Sequence, residues 1–319
     1  MSVLVTGASG FLGSHIAEIL AGSGHAVRLL LRPSSSREFL KFDHEVAIGD
    51  VTDTESLGAA AQGVDVVVHA AGLIKARSAA EFAAVNDQGT ANIVQACTEV
   101  TSGVRFIYIS SLAARGPGDG SSPSAPVTEY GRTKLAGEKR LLESSLAERS
   151  TIFRMPVIYG PRDPALLPVF LGAKFRFIPL LNGGRNKISL IYATDAATAV
   201  QSVIDGPTAL GPVTYTPEDG SVHTWRDLVG AVEDAVGHRA TKVPLPRVAF
   251  AAAASVTASF AKIRNRAEVF TPEKVDEMAQ EQWVCFGETL TADTGWRPGV
   301  QIGEGASLTY RWYRYHRWL

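Results

Sequence analysis

The stretch VLVTGASGFLG, residues 3–13, decides the fold. A short apolar run is followed at once by Gly7, Gly10 and Gly13, three residues apart. The apolar run predicts a buried strand, and the segment that begins at Phe11 predicts an amphipathic helix. Glycines at such a junction let the backbone turn tightly and approach a ligand, while the start of the helix offers unpaired N–H groups. The stretch therefore predicts a site for the pyrophosphate of a dinucleotide.

Further apolar runs alternate with helical patterns through the first half of the chain. The predicted strands are Val3–Val5, Ala26–Leu31, Val46–Ile48, Val64–Val68, Arg105–Ile109 and Ile152–Met155. Strands that are apolar throughout and separated by helices favour a parallel sheet covered on both faces. Right-handed crossovers then give an α/β, doubly wound Rossmann fold.

The pattern changes after Pro156, where proline and glycine become frequent. One more strand and helix are predicted within residues 188–204, and a smaller C-terminal lobe is predicted to bind the substrate. The predicted dinucleotide-binding domain covers 1–160 and 187–210, and the predicted substrate lobe covers 161–186 and 211–319.

The composition narrows the range of partners. The chain has 319 residues and a formal net charge of −1, so no excess of positive charge favours nucleic acid or an anionic membrane surface. The two cysteines, Cys97 and Cys285, lie far apart, which argues against a disulfide or a zinc site and fits a reducing, cytoplasmic location. The longest apolar run, residues 248–263, is shorter than the about 20 residues that span a bilayer. We expect no membrane span and no metal.

The end of the second predicted strand indicates which cofactor is bound. An acidic residue about 20 residues beyond the glycines binds the ribose 2′-hydroxyl of NAD, whereas an arginine there accommodates the 2′-phosphate of NADP. This chain has Arg32 at that position, with Arg37 nearby. A guanidinium can hold a phosphate through two hydrogen bonds. The sequence therefore predicts NADP(H), with NAD as the less favoured cofactor.

Catalytic chemistry is predicted on the segment EYGRTKLAGEKRLLE, residues 129–143. Tyr130 and Lys134 are four residues apart, which places them on one face of a helix. The lysine ammonium can lower the pKa of the phenol, so that the tyrosine exchanges a proton with a carbonyl or hydroxyl oxygen. The preceding strand ends in Ser110 and Ser111, at the edge of the sheet where doubly wound folds bind ligands.

Together these motifs resemble those of the extended short-chain dehydrogenase/reductase superfamily, nearest to its dihydroflavonol reductase and 3β-hydroxysteroid dehydrogenase branch, over nearly the whole chain. The resemblance implies that Ser111 binds the substrate oxygen, with Ser110 as the alternative, and that Tyr130 is the acid–base and Lys134 its activator. Asn86 matches the asparagine of the family's proton relay, although a helix asparagine bonded only to backbone remains an equal alternative. The cofactor residues implied are Gly7, Ser9, Gly10, Phe11, Leu12, Gly13, Arg32, Arg37, Asp50, Val51, Ala70, Ala71, Gly72, Ser110, Tyr130, Lys134, Pro156, Val157 and Ile158.

Three functions remain open on this basis. The first is an NADP(H)-dependent reductase or dehydrogenase that acts on a small or medium apolar carbonyl or secondary alcohol. The second is a nucleotide-sugar epimerase or dehydratase, and the third is a non-catalytic NADP-binding protein. Sugar-nucleotide members of the family carry an arginine where this chain has Ile188, seven residues before Asp195, which favours the first function. The apolar segments 164–181 and 247–263 are expected to form the wall of the substrate pocket.

Three smaller predictions concern local structure and assembly. Asp53 and Asp195 are expected to cap the helices that follow them, because an aspartate at a helix start accepts a hydrogen bond from backbone N–H groups. The helices near 81–98 and 130–146 are those through which members of the resembled family form dimers, so a homodimer is possible.

Overall fold

The computed structural model describes residues 1–100, 103–206, 212–286 and 289–319. The strands are β1 Ser2–Thr6, β2 Ala26–Leu31, β3 Glu45–Ile48, β4 Val66–His69, β5 Arg105–Ser111, β6 Ser150–Met155, β7 Val157–Tyr159, β8 Phe177–Leu181, β9 Lys187–Tyr192, β10 Val213–Tyr215, β11 Val222–Thr224, β12 Thr241–Leu245 and β13 Gln282–Trp283. The six strands predicted from the apolar runs are confirmed, with ends that shift by up to two residues.

The helices alternate with the strands in the first half of the chain. They are α1 Phe11–Gly22, α2 Thr54–Ala61, α3 Ala79–Phe82, α4 Gly89–Val100, α5 Leu112–Arg115, α6 Glu129–Leu142, α7 Leu167–Lys174, α8 Ala193–Asp205, α9 Trp225–Val236, α10 Arg247–Ile263, α11 Pro272–Met278, α12 Thr289–Thr294 and α13 Ile302–Tyr315. A π-helical turn, Ala83–Gln88, joins α3 to α4, and 3₁₀ turns cover Ala147–Arg149 and Asn182–Gly184. None of the described helices is both long enough and apolar enough to cross a membrane.

The central sheet has seven strands in the order β10-β6-β5-β4-β1-β2-β3. Every neighbouring pair is parallel, so the predicted doubly wound Rossmann fold is confirmed. The chain reverses its direction of travel across the sheet between β1 and β4. In such sheets a crevice opens at this point, outside the carboxyl ends of the strands. The fold therefore brings the segments that follow β1, β2, β4 and β5 to one edge.

Alternate side chains of β1 show why both faces of the sheet are buried. Val3 and Val5 pack into the core beneath α1 and α8, whereas Leu4 packs into the core beneath α2, α4 and α6. All three side chains are fully buried. A strand covered on both faces must be apolar at every position, which is why β1 appears in the sequence as an uninterrupted apolar run.

The predicted second lobe holds a second core and a small sheet, although two strands of that sheet, β7 and β9, fall within the predicted dinucleotide-binding domain. Strands β7, β11 and β13 all pair with β9, and β8 pairs separately with β12. Helices α7, α9 and α13 contribute to the core of this lobe. Strand β10 extends the main sheet, although its residues follow the predicted start of the lobe at 211. That predicted boundary, 210/211, lies outside the described residues, and the division into two domains stays a prediction.

The two predicted aspartate caps have different outcomes. Asp53 caps α2, and its side chain accepts a hydrogen bond from the Glu55 N–H. The prediction for Asp195 is wrong, because Tyr192 occupies the cap position of α8. The Asp195 carboxylate instead accepts from the N–H groups of Gly299 (3.0 Å) and Val300 (2.8 Å). It therefore joins the sheet domain to the C-terminal segment.

Candidate functional site

The glycine turn after β1 is shaped by close backbone contacts. Gly7 has a φ of +74°, and a Cβ atom there would lie 2.6 Å from the backbone of Ala70 and Ala71. A Cβ atom on Gly13 would overlap the Gly7 carbonyl oxygen. Neither position can carry a side chain without a backbone shift. The turn and the segment after β4 are thus held against each other at the carboxyl edge of the sheet.

The start of α1 is open for an anion. Gly10 is the cap residue, and no side chain among the described residues accepts from the first N–H groups of the helix. Ser9, Phe11 and Leu12 are half-buried around this turn. Free N–H groups and the positive end of the helix dipole favour a phosphate here. The turn therefore fits the pyrophosphate of a dinucleotide.

Arg32 lies at the end of β2 with 60% of its side chain exposed. Its Nε lies 3.9 Å from the Asp50 carboxylate, which follows the neighbouring strand β3. At that distance and exposure the ion pair is weak, so the guanidinium is free to turn to another anion. Arg37 is also exposed, in the loop after β2.

Three further segments complete the predicted cofactor side. Val51 is buried, and its carbonyl accepts a hydrogen bond of 2.9 Å from Asn92 on α4. Sequence reasoning missed Asn92, because its partner is distant along the chain. The Ala71 N–H donates to the Thr6 hydroxyl at 3.1 Å. Pro156, Val157 and Ile158 follow β6 and are partly exposed.

The Ser111 hydroxyl lies close enough to the Tyr130 phenol to lower its pKa. Ser111 caps α5, and its oxygen accepts from the Ala113 N–H at 3.2 Å. Tyr130 lies in the first turn of α6, because Thr128 caps that helix through the Gly131 N–H. Burial raises the pKa of Tyr130 to about 12, and the nearby Ser111 hydroxyl opposes that rise. The phenol therefore holds its proton in this structure.

Lys134 lies one turn after Tyr130, with a side chain that is almost fully buried. Its Nζ donates to the Ile109 carbonyl at 2.7 Å and lies 4.2 Å from the centre of the Tyr108 ring. Burial lowers the pKa of Lys134 to about 7, although the nearby Glu138 carboxylate acts in the opposite direction. A new polar partner would therefore stabilise the charged form of Lys134.

The two serines at the end of β5 have different surroundings. The Ser110 hydroxyl donates to Glu138 at 2.5 Å, and Glu138 also forms a buried ion pair with Arg154 at 2.6 Å. The Ser110 hydroxyl is therefore bound to Glu138, whereas the Ser111 hydroxyl lies near Tyr130. The structure brings Ser111, rather than its neighbour, to the predicted acid–base.

Asn86 is fully buried in the π-helical turn. Its amide oxygen accepts a hydrogen bond from the Leu73 N–H at 2.8 Å. Its amide nitrogen donates to the Leu73 carbonyl at 3.0 Å and to the Thr133 hydroxyl at 3.2 Å. A Cβ atom on Gly72 would lie 3.1 Å from the Asn86 oxygen and 3.6 Å from the Lys134 Nζ. Asn86 thus fixes the loop beside Lys134, and a part in a proton relay stays a prediction.

A cavity of about 390 Å³ reaches Tyr130 from the second lobe. Its wall comes from the segment after β4, from the start of α6 and from the start of α11: Ile74, Ala76, Arg77, Ser78, Ala79, Phe82, Thr128, Glu129, Tyr130, Glu268, Val269, Thr271, Pro272, Glu273, Lys274 and Glu277. Segments 164–181 and 247–263 do not line this cavity, and their part in a substrate pocket stays a prediction. The residues that do line it have no periodic pattern in the sequence that could have revealed them.

Comparisons with known proteins agree with this fold. The sequence profile of the NAD dependent epimerase/dehydratase family matches residues 3–215. The chain is 30% identical over 319 residues to ceramide reductase of Caulobacter vibrioides, covering 99% of this chain and 96% of that protein. It is 26% identical over 264 residues to human (Homo sapiens) sterol-4-alpha-carboxylate 3-dehydrogenase, decarboxylating, covering 76% of this chain and 68% of that protein.

Among solved structures, UDP-glucose 4-epimerase of Thermus thermophilus in complex with NAD has a TM-score of 0.75. It is 26% identical in sequence, and the match covers 98% of this chain and 99% of that one. Relatives of this chain thus include both reductases and epimerases.

Proposed function

This chain belongs to the NAD dependent epimerase/dehydratase family, and we propose that it is an NADP(H)-dependent oxidoreductase acting on an apolar carbonyl or secondary alcohol. The observation that carries the proposal is the proximity of the Ser111 hydroxyl to the Tyr130 phenol, because Tyr130 also lines a cavity of about 390 Å³. Lys134 is buried one helical turn away. A phenol, a hydroxyl and an ammonium in this arrangement can bind and protonate a reacting oxygen.

Each of the three residues has a distinct part. Nicotinamide, when bound, supplies or accepts the hydride. Tyr130 gives its proton to the carbonyl oxygen in reduction and takes it back in oxidation. Ser111 donates a hydrogen bond to the same oxygen, and Lys134 in its charged form stabilises the phenolate that Tyr130 becomes when it gives up its proton. Because burial holds the pKa of Tyr130 near 12, the resting tyrosine is protonated, which is the form that reduction requires.

The preference for NADP(H) rests on Arg32. This guanidinium is exposed at the edge of the sheet and only weakly paired with Asp50. Charge-assisted hydrogen bonds to a phosphate contribute about 1.5–3 kcal/mol, more than the exposed ion pair that they would replace. NAD, which lacks the phosphate, would gain nothing from Arg32.

The apolar substrate is supported by the scarcity of free positive charge at the site. Ile188, at the position where sugar-nucleotide members carry an arginine, is buried in the core of the second lobe. The cations that line the cavity, Arg77 and Lys274, are paired with Glu81 and Glu277. The names of ceramide reductase and the sterol dehydrogenase point to apolar substrates for those relatives.

Epimerisation of a nucleotide sugar is the second candidate, favoured by the likeness to the UDP-glucose 4-epimerase. In epimerisation, hydride returns to the substrate, so the cofactor is not consumed. The two functions therefore differ in cofactor balance as well as in substrate.

A single assay separates them. The purified protein is mixed with NADPH and, in parallel, with apolar ketones of increasing chain length or with nucleotide sugars. We expect net NADPH oxidation with at least one ketone and none with the sugars. Interconversion of a nucleotide sugar without net loss of cofactor would replace the proposal with the epimerase.

A further inference from the structure

Helix α10 has an unusual surface for a helix at the outside of a protein. Of its 17 residues only Ala254 is buried. The large apolar side chains Val248, Val256, Phe260 and Ile263 are 56–81% exposed. They recur at intervals of eight, four and three residues, which places them on one side of the helix. The result is a continuous apolar stripe that faces away from the protein.

Only a thin layer lies beneath this stripe. The opposite side of α10 packs on α11 through a small cluster of buried residues, Leu181, Ala254 and Val275. The sequence from 247 to 263 contains no acidic residue. Contiguous apolar patches at a surface mark sites of interaction with a partner or a membrane.

Positive charge collects at the end of the stripe. Lys262, Arg264 and Arg266 are exposed, and they form no ion pair with any part of the chain that the structure describes. The acid nearest along the chain, Glu268, is occupied by the N–H groups of Val269 and Phe270. At the other end of the helix, Arg247 is already paired with Asp276.

The charged end of α10 leads directly into the wall of the cavity. Residues 264–271 connect α10 to α11, and Glu268, Val269 and Thr271 of that connection line the cavity that reaches Tyr130. A partner that binds the stripe would therefore also lie beside the cavity that reaches Tyr130.

We propose that the exposed face of α10 docks on an anionic lipid bilayer, with its apolar stripe in the acyl boundary and Lys262, Arg264 and Arg266 on the headgroups. A helix with an apolar face and flanking cations lies in the plane of such an interface. Anionic headgroups attract basic residues near the surface. A second copy of the chain would offer the same face without acidic residues, so it provides no charge complement.

The net charge of −1 does not contradict this arrangement, because the three cations are local and the balancing acids lie elsewhere. Docking also goes beyond the proposed reaction. It concerns a different surface, and binding can be scored without turnover, so the two proposals can fail separately.

The test uses the full-length protein and two kinds of vesicle, phosphatidylcholine alone and phosphatidylcholine with phosphatidylglycerol. Binding is measured by flotation at low and high salt. We expect binding to the vesicles that contain phosphatidylglycerol, and weaker binding at high salt because exposed charges are screened. For each of the double variants Phe260→Ser/Ile263→Ser and Arg264→Ser/Arg266→Ser, we expect the affinity for these vesicles to fall at least about tenfold.

The matched control is Phe175→Ser/Phe177→Ser, which removes two exposed aromatic rings outside α10 and should bind like the wild type. Thermal melting verifies that every variant is folded, as expected for changes at exposed positions. Absence of binding to either vesicle, or equal binding to both, would overturn the proposal. So would a wild-type dimer that Phe260→Ser/Ile263→Ser converts to monomer, because that result would assign the stripe to a second copy.

Discussion

The carboxyl edge of the main sheet and the part of the cavity wall formed by residues 268–277 are held in different ways. At the sheet edge, backbone packs on backbone, as where Gly13 lies over the Gly7 carbonyl. The wall is held by side chains: Glu273 accepts from the Glu129 N–H at 2.6 Å and from Arg132 at 2.9 Å.

This difference predicts how each of the two regions responds to substitution. The edge tolerates almost no substitution at its contact points, because a side-chain rotation cannot relieve a clash with backbone atoms. The wall can change its side chains while the sheet stays intact. We infer that the edge retains the cofactor and that the wall selects the substrate, and each prediction below tests one of the two regions.

The largest effect is expected at Tyr130, where the two regions meet. Tyr130→Phe removes the proton but keeps the ring, so turnover should fall by about 10²–10⁴-fold with little change in cofactor affinity. Steady-state kinetics and a cofactor titration measure the two quantities. The control, Tyr315→Phe, alters a tyrosine that is 84% exposed and should retain full activity. Tyr130→Phe with wild-type turnover would remove the tyrosine from the mechanism.

The next effect tests the backbone contacts at the sheet edge. Gly13→Ala places a Cβ atom against the Gly7 carbonyl, so α1 must shift and cofactor affinity should fall on the order of a hundredfold. Gly22→Ala, in the same helix, meets nothing within 4 Å and should leave affinity unchanged. Calorimetric titration compares the pair. Equal affinities in the two variants would show that the turn is not the cofactor site.

Lys134, at the sheet edge, is expected to make the free energy of unfolding depend on pH. In the folded protein its pKa is lowered from 10.5 to about 7, so between these values the unfolded chain carries the extra proton. Raising the pH through this window should therefore stabilise the wild type, by at most about 1.4 kcal/mol per pH unit. Lys134→Met should lack this rise. Denaturant unfolding at several pH values measures the difference, and parallel curves for the two proteins would contradict the lowered pKa.

Arg32 tests the outer part of the edge, where the expected effect is about tenfold. Arg32→Ser should reduce affinity for NADPH by that factor and leave affinity for NADH unaltered, because only NADPH carries the 2′-phosphate. Fluorescence titration with both cofactors measures the ratio. Lys41→Ser removes an exposed cation from the loop that follows β2, and it serves as the control. If the ratio of the NADPH and NADH affinities were unchanged in Arg32→Ser, Arg32 would not be the cause of a preference for NADP.

The smallest effect is expected in the wall. Glu273→Gln weakens the ion pair with Arg132, which is exposed and contributes about 1 kcal/mol or less. We expect KM for the substrate to rise a few-fold while KM for the cofactor stays constant. Glu143→Gln, an exposed change after the end of α6, is the control. A rise in both KM values would show that the wall and the edge are not independent.

The sequence predicts the edge well because its constraints are local. The glycine spacing and the apolar run identify β1 and α1, and four-residue spacing places Tyr130 and Lys134 on one side of α6. Their roles in binding and catalysis stay predictions, although the structure brings them together as expected.

The wall could not be predicted, because contacts between distant segments create it. Nothing near Glu273 in the sequence indicates that it accepts the Glu129 N–H. In the same way, Asp195 has the pattern of a cap but binds Gly299 and Val300. The apolar segment 247–263 has the pattern of a pocket wall, yet it forms the exposed helix α10.

The most direct test of the central claim is a single-turnover reaction with NADPH that carries deuterium at both hydrogen positions of the nicotinamide C4. Wild type, Tyr130→Phe and Tyr315→Phe are each incubated with an apolar ketone, and the deuterium content of the product alcohol is measured by mass spectrometry. We predict one deuterium at the carbinol carbon with wild type and Tyr315→Phe, and almost none in the same time with Tyr130→Phe. Equal deuterium incorporation by all three proteins, or none in any product alcohol across the ketone series, would contradict the account.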